Sequence, residues 1–350
     1  MSREKVILGI DLGTERIKVI KGVAGRKPRI TGMAQGPLLG FKKGFLAEPD
    51  AVVRCLGQVL EQLDGKEEPD AVFLAIGSPR VCRYFPDKVP EGERDLVVLP
   101  SEPDFWDDRE DVKRRWRVLS RVGLQTENLI LAPRALTWAL QPHLGEGVFL
   151  ILDIGGQVTT FAAVQKGEPR DLGVIPVGSN HITADLTFAL RVGREEAEDI
   201  KRYRVDISPD RTAEYDYIEI HRPDGSKERV TREFLGKVVT SRVEEIFQLV
   251  ASRLEKAGVS RTEIKEVALT GGGAALAGLE EVTANFWQAT AYRGEANVPD
   301  APDFLRRDPS YTVALGMVGY ALRNSPSLPE EESSGWWDGI RKRLKAVLGS

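Results

Sequence analysis

Leu8-Gly9-Ile10-Asp11-Leu12-Gly13-Thr14-Glu15-Arg16-Ile17-Lys18-Val19-Ile20 has a near-copy 142 residues further on, Leu150-Ile151-Leu152-Asp153-Ile154-Gly155-Gly156-Gln157-Val158-Thr159-Thr160-Phe161-Ala162. Each is an apolar run, an aspartate, a glycine turn and a second apolar or β-branched run. Such runs read as buried strands. The glycines permit a tight turn that brings backbone N–H groups towards an anion, and Thr14 adds a hydroxyl donor. An aspartate at a strand end repels phosphate unless a cation lies between them, and magnesium fills that role through its retained waters. One copy alone reads more simply as an ordinary hairpin turn. Two copies, followed by a third glycine turn at Gly271-Gly272-Gly273 in VALTGGGAALAGL, predict two similar lobes facing each other across a nucleotide.

The remaining sequence is consistent with a soluble globular chain. Its 350 residues are enough for two lobes. A hydrophobic share of 41% and a charged share of 29% are ordinary. A net charge of −4 gives no drive towards nucleic acid. Two cysteines, Cys55 and Cys82, and three scattered histidines argue against a disulfide scaffold and against a cysteine or histidine metal cluster. The N-terminus enters a strand with no apolar leader, and no run spans a membrane. Together these predict a cytoplasmic location.

The periodicity predicts a meander of strands at Val6–Ile10, Ile17–Val23 and Ile30–Gln35, then a helix at Asp50–Leu63 and a strand at Ala71–Ile76. A helix at Asp111–Val122, a short strand at Leu129–Leu131 and a helix from Arg134 to Leu140 follow. In the second half, helices are expected at His181–Leu190, Arg194–Arg204 and Val238–Ala257. An exposed hairpin turns at Pro223-Asp224-Gly225, and Val267–Thr270 leads into the triple glycine. Thr312–Leu322 is a small-residue helix suited to close packing. The expected domains are a first lobe at 1–147, a second lobe at 148–324, a linker at 325–335 and a terminal helix at 336–350. In that last segment Trp336, Trp337, Ile340, Leu344, Val347 and Leu348 share one face, while Arg341, Lys342, Arg343 and Lys345 supply the other, against the single acid Asp338. A cationic amphipathic helix of this kind suits an anionic lipid surface. Docking on its own protein or on a partner is the alternative.

These landmarks resemble the actin-like ATPase superfamily over roughly residues 5–322. Asp11-Leu12-Gly13-Thr14 and Asp153-Ile154-Gly155-Gly156 look like its two phosphate motifs, and Leu269-Thr270-Gly271-Gly272-Gly273-Ala274 like its adenosine motif. Ala197-Glu198-Asp199-Ile200-Lys201 is similar to a stretch of bacterial actins whose acid and lysine, here Glu198 and Lys201, approach ribose and base. Read alone, it is a solvated helix face. Within the superfamily, the segments 175–190 and 197–204 and the terminal helix resemble the bacterial division family FtsA, with the pilus-associated PilM family as second choice.

The resemblance implies an α/β fold of two duplicated ribonuclease-H-like lobes around a nucleotide cleft, with ATP or ADP and Mg2+ as cofactors and Asp11 and Asp153 positioning the metal through water. Gly13, Thr14, Lys18, Gly155, Gly156, Gln157, Glu198, Lys201 and Gly271 to Gly273 would contact the nucleotide. Lys18 either reaches a phosphate or points outward. The family implies self-assembly into filaments, an FtsZ-like tubulin homologue as partner, anionic lipids as a further partner and a place on the inner face of the cytoplasmic membrane. Residues 79–108 are fewer than the extra subdomain expected there. Ala132 stands where many relatives carry a polar residue that orients the attacking water, which implies at most weak ATPase activity. A PilM-like scaffold and a small-molecule kinase are the alternatives, although no carboxylate beyond the two aspartates presents itself as a general base.

Overall fold

The structure, a computed structural model, describes residues 4–64, 68–79, 109–126, 128–140, 146–208, 216–298 and 300–324. They fall into two compact units. One is the described part of Met1–Pro142, Leu172–Val174 and Glu295–Ser350; the other is that of His143–Asp171 and Ile175–Gly294.

In the first unit, β1 (Lys5–Leu12), β2 (Arg16–Ala24) and β3 (Arg29–Pro37) form an antiparallel meander. The small hairpin β4 (Phe41–Lys42) and β5 (Phe45–Leu46) leads into α1 (Pro49–Leu60), which opens on a proline whose missing N–H costs nothing in a first helical turn. Next come β6 (Ala71–Ile76), α2 (Arg109–Arg121), β7 (Asn128–Leu131) and α3 (Ala132–Leu140). The sheet order is β3-β2-β1-β6-β7, with β1, β6 and β7 parallel. Ile10, Leu56, Leu74, Leu119 and Leu129 are among the side chains of the core on one face.

The second unit repeats this sheet. It comprises β8 (Val148–Ile154), β9 (Thr159–Gln165), β10 (Glu168–Ile175), β13 (Ile264–Thr270) and β14 (Thr290–Arg293), in the order β10-β9-β8-β13-β14. Between β10 and β13 lie α4 (Ser179–Leu190), α5 (Arg194–Asp199), the exposed hairpin β11 (Tyr217–His221) and β12 (Lys227–Thr231), and the long α6 (Arg232–Lys256). α7 (Leu279–Trp287) precedes β14. The two sheet orders match strand for strand, as the duplicated phrase predicts, and the fold class is α/β as expected.

The chain then returns to the first unit. After α8 (Asp303–Arg307), α9 (Thr312–Asn324) packs on α3 and on β1 and β2. This corrects the expected lobe at 148–324, because the last described stretch belongs with residues 4–140. The small-residue helix is fitted for that place. A Cβ on Gly316 would lie 2.0 Å from the carbonyl oxygen of Ala135, and one on Gly9 would lie 2.6 Å from Val318 Cγ2. Trp138 stacks on Tyr320 with ring centroids 3.9 Å apart.

Other differences are local. α6 begins at Arg232 rather than Val238, because the hydroxyl of Thr231 caps it by accepting from the amide of Phe234 at 3.2 Å. The helix expected at Arg194–Arg204 changes at Ile200 into a π-helical turn over Ile200–Arg204. No expectation from the sequence covers β10, α7 or β14. The linker at 325–335, the terminal helix at 336–350 and nearly all of 79–108 lie outside the described residues.

Candidate nucleotide site

In the first unit, β1 and β2 pair so that Asp11 faces Lys18 across the strands. Directly paired side chains share one face of a sheet. Lys18 therefore lies on the side of Asp11, with Nζ 3.9 Å from Oδ2 and both side chains largely covered. Burial pushes the Asp11 carboxyl above the usual carboxylate range; Lys18, and then Arg115, pull it back. A Cβ on Gly13 would sit 2.8 Å from the carbonyl oxygen of Arg16, so closure of this hairpin requires glycine. Thr14 is buried in the turn. Ala132 opens α3 at the carboxyl end of β7, 5% exposed, and its methyl lies 3.6 Å from where a Cβ on Gly77 would stand. The ends of three adjacent parallel strands thus carry Asp11, Gly77 and Ala132, and such an edge is where open α/β sheets bind ligands.

The second unit builds the same corner from β8 and β9. Asp153 pairs with Thr160 on β9 and with Thr270 on β13. The amide of Gly155 donates to the carbonyl of Val158 at 2.9 Å, and a Cβ on Gly155 would meet that same oxygen. The Gly155 N–H thus closes its own turn. The first turn of α4 holds the loop from outside. The amides of Ser179 and Asn180 donate to the carbonyls of Gly155 and Gly156, each at 2.8 Å. Gln157 is half-buried, with Oε1 away from solvent. The triple glycine divides by role. Gly271, at φ 79, leaves only 2.2 Å between a notional Cβ and Asp153 Oδ1, and Gly273 abuts Ile154. Gly272 faces open space and is exposed. Two of these glycines let the third turn lie on the aspartate strand, and the third leaves room above it.

Glu198 and Lys201 meet, but in company that the sequence did not suggest. Lys201 Nζ donates to Glu198 Oε2 at 2.7 Å and to Thr183 Oγ1 at 2.9 Å, while the Thr183 hydroxyl donates to the same carboxylate oxygen at 2.6 Å. Arg202 Nε reaches the other oxygen at 2.7 Å. Burial pushes the Glu198 carboxyl up, but the hydrogen bonds from Lys201 and Thr183, the charge of Lys201 and the bond from Arg202 outweigh it and hold it at about 2. Burial pulls the Lys201 ammonium down. Lys201 is only 9% exposed, so the reading of this stretch as a solvated face fails for it. The π turn that begins at Ile200 is a rare feature that is frequent at functional sites. Thr183 and the α4 amides were missed because nothing in ITADLT marks a buried hydroxyl; Gly178-Ser179-Asn180 did carry a helix-start signal.

Each corner carries a carboxylate at a strand end and a turn that tolerates no side chain, and at Gly272 the second corner has open space. Asp11 and Asp153 are the groups that would hold Mg2+. Among the described residues no cluster of three histidine, cysteine or acidic side chains offers a metal cage.

A family profile described as "Cell division protein FtsA" matches residues 150–316. FtsA of Bacillus subtilis (strain 168) is 25% identical, over 93% of this chain and 85% of its own length. FtsA of Neisseria meningitidis serogroup B is 23% identical, over 98% of each. In sequence this chain is similar to FtsA proteins. The FtsA of Escherichia coli K12 aligns over 413 residues at 22% identity, more than the 350 residues of this chain, so that relative carries residues which this one lacks. Among solved structures, a PilM–PilN type IV pilus biogenesis complex matches with a TM-score of 0.65 and 18% identity, over 91% of this chain and 99% of that one. MreB 5 of Spiroplasma citri bound to AMPPNP matches with 0.58 and 16%, over 89% and 95%. The chain therefore has the actin-like ATPase fold.

Proposed function

We propose that this protein is a nucleotide-switched cytoskeletal adaptor of bacterial cell division. ATP with Mg2+ binds through the Asp11 and Asp153 turns. The metal supplies charge neutralisation between phosphate and carboxylate. Thr14 and Lys18 stand beside the Asp11 turn, and α4 holds the loop that follows Asp153. Glu198 and Lys201 serve the ribose and base. Hydrolysis is slow, because the methyl of Ala132 cannot orient a water and positioning is most of what such catalysis supplies. The nucleotide-bound form assembles head to tail into filaments. The segment 336–350 attaches these to the inner face of the membrane, where they hold an FtsZ-type tubulin homologue.

The observation that carries this reading is the likeness to FtsA from several bacteria over nearly the whole chain, joined to two copies of one phosphate corner. The test is co-sedimentation with anionic liposomes, with and without Mg-ATP, of the intact chain and of a variant ending at Ser334. Pelleting that depends on the tail and rises with ATP is the expected result; an intact chain that stays in the supernatant under both conditions sinks the tether.

A second reading is a PilM-like scaffold, favoured by the extent of the match to the PilM–PilN complex. It predicts tight binding of a short peptide from a membrane protein, with no filaments in Mg-ATP.

A further inference from the structure

Within one turn, α4 touches two parts of the second unit's site. Ser179 and Asn180 donate their amides to the carbonyls of Gly155 and Gly156 at 2.8 Å and so fix the loop that follows Asp153. One turn on, the fully buried Thr183 meets the pair Glu198 and Lys201. A threonine inside a helix commonly returns its proton to the carbonyl four residues back. That carbonyl, of Ser179, stands 3.4 Å from Thr183 Oγ1, whereas Glu198 Oε2 stands at 2.6 Å. The shorter contact is to an anion, so the proton goes to the carboxylate. The same hydroxyl oxygen accepts from Lys201 Nζ at 2.9 Å.

Lys201 has no donor to spare. An ammonium carries three N–H groups, and Nζ finds three acceptors within the protein: Glu198 Oε2 at 2.7 Å, Thr183 Oγ1 at 2.9 Å and the Ser179 carbonyl at 3.4 Å. Glu198 differs. Its Oε2 is taken up by Thr183 and Lys201, while Oε1 meets Arg202 Nε at 2.7 Å, on a side chain that is 61% exposed. The carboxylate therefore has one oxygen anchored among covered groups and the other beside an exposed cation.

We propose that Thr183 and Lys201 are positioning residues: they set the Glu198 carboxylate at a fixed place relative to the loop after Asp153, so that Glu198, and not Lys201, meets the nucleoside of a bound nucleotide. This rests on the nucleotide reading above and narrows it. Both anchors run to the same turn of α4, where Ser179 grips the loop with its N–H and receives Lys201 at its carbonyl. A ligand that carries a nucleoside and phosphates gains from contacts whose separation is set before it arrives, because less ordering remains to be done on binding. Tripolyphosphate, which has no nucleoside, gains nothing from Thr183.

The test uses the full chain and measures binding of Mg-ATP and of Mg-tripolyphosphate by calorimetric titration. Thr183→Val removes the hydroxyl and keeps the branched shape. It should lose about tenfold or more in affinity for ATP, while tripolyphosphate changes by less than about twofold. Thr183→Ser keeps the hydroxyl and should stay within about threefold of the parent for both ligands. Arg242→Gln breaks the pairing of α6 with Asp185 on α4 and should leave the ratio of the two affinities unchanged. A Thr183→Val chain with the parent's ratio, whether both affinities hold or both fall, overturns the proposal and leaves the nucleotide reading standing. A Thr183→Ser chain that loses the ratio as Thr183→Val does assigns the effect to packing and overturns it too. A parent that binds neither ligand overturns both readings. A second measurement needs no substitution: acetic anhydride labelling of the lysines, with and without Mg-ATP. Lys201 should label slowly in both states, against rapid labelling of Lys237, whose side chain is 72% exposed. A Lys201 that labels freely in the empty chain and is protected by Mg-ATP contacts the ligand itself and overturns the proposal.

Discussion

Individual side chains at the two corners have separable duties. A methyl on Gly271 would be driven into Asp153 Oδ1 at a backbone angle that L-residues avoid, whereas one on Gly272 would enter open space. Gly271→Ala should therefore cost at least about 2 kcal/mol in urea unfolding, and Gly272→Ala less than about 0.5 kcal/mol. Equal costs would mean that the turn does not lie on the aspartate. Glu198 makes a pH prediction. Its carboxyl titrates at about 2 in the folded chain against 4.5 ordinarily, so the unfolded chain binds that proton more tightly. The resulting stabilisation is complete above pH 4.5 and drains away as the pH falls towards about 2. Glu198→Gln should cost about 1–2 kcal/mol at pH 7, with a smaller deficit at pH 3. A deficit that is flat with pH would assign the loss to packing instead of charge.

At the scale of elements, α9 is the piece whose sequence and packing agree most closely. Its glycines stand where another backbone or side chain arrives: Gly316 under the Ala135 carbonyl, Gly319 against Val298. The atom in the way at Gly316 is a backbone carbonyl, so relief would require a shift of one helix against the other. Gly316→Ala gains helix propensity, yet it should destabilise by about 2–4 kcal/mol through overpacking. A chain as stable as the parent in chemical denaturation would show that α3 and α9 separate freely. The hairpins β1–β2 and β8–β9 were legible in the sequence because strand, turn and strand are local and alternate cleanly. The π turn after α5 was not, since an extra residue in a helical turn leaves no mark on apolar spacing.

For the whole molecule, the question is whether two corners from two units serve one ligand. Saturating Mg-ATP, at about 100 times its dissociation constant, should stabilise the chain by about 2.7 kcal/mol. If one nucleotide uses both aspartates, Asp11→Asn and Asp153→Asn should each remove most of the thermal shift, and the double variant should lose little more. Shifts that halve singly and vanish only together would mean independent sites. Without nucleotide, Asp11→Asn should be neutral or stabilising, because burial already penalises the Asp11 charge.

The sequence alone determined the duplicated hairpins β1–β2 and β8–β9, the positions of both aspartates and the glycines that close their turns. All of these are set within a dozen residues, where a strand's apolar run and a carbonyl too near for a Cβ leave a direct imprint. Tertiary structure decided the rest. The return of residues 295–324 to the first sheet depends on helix-to-helix contact with α3, far away in sequence. The side that Lys18 takes follows from strand register. The enclosure of Lys201 by Thr183 and Glu198 is a sum over separate elements, and no local pattern carries a sum of that kind.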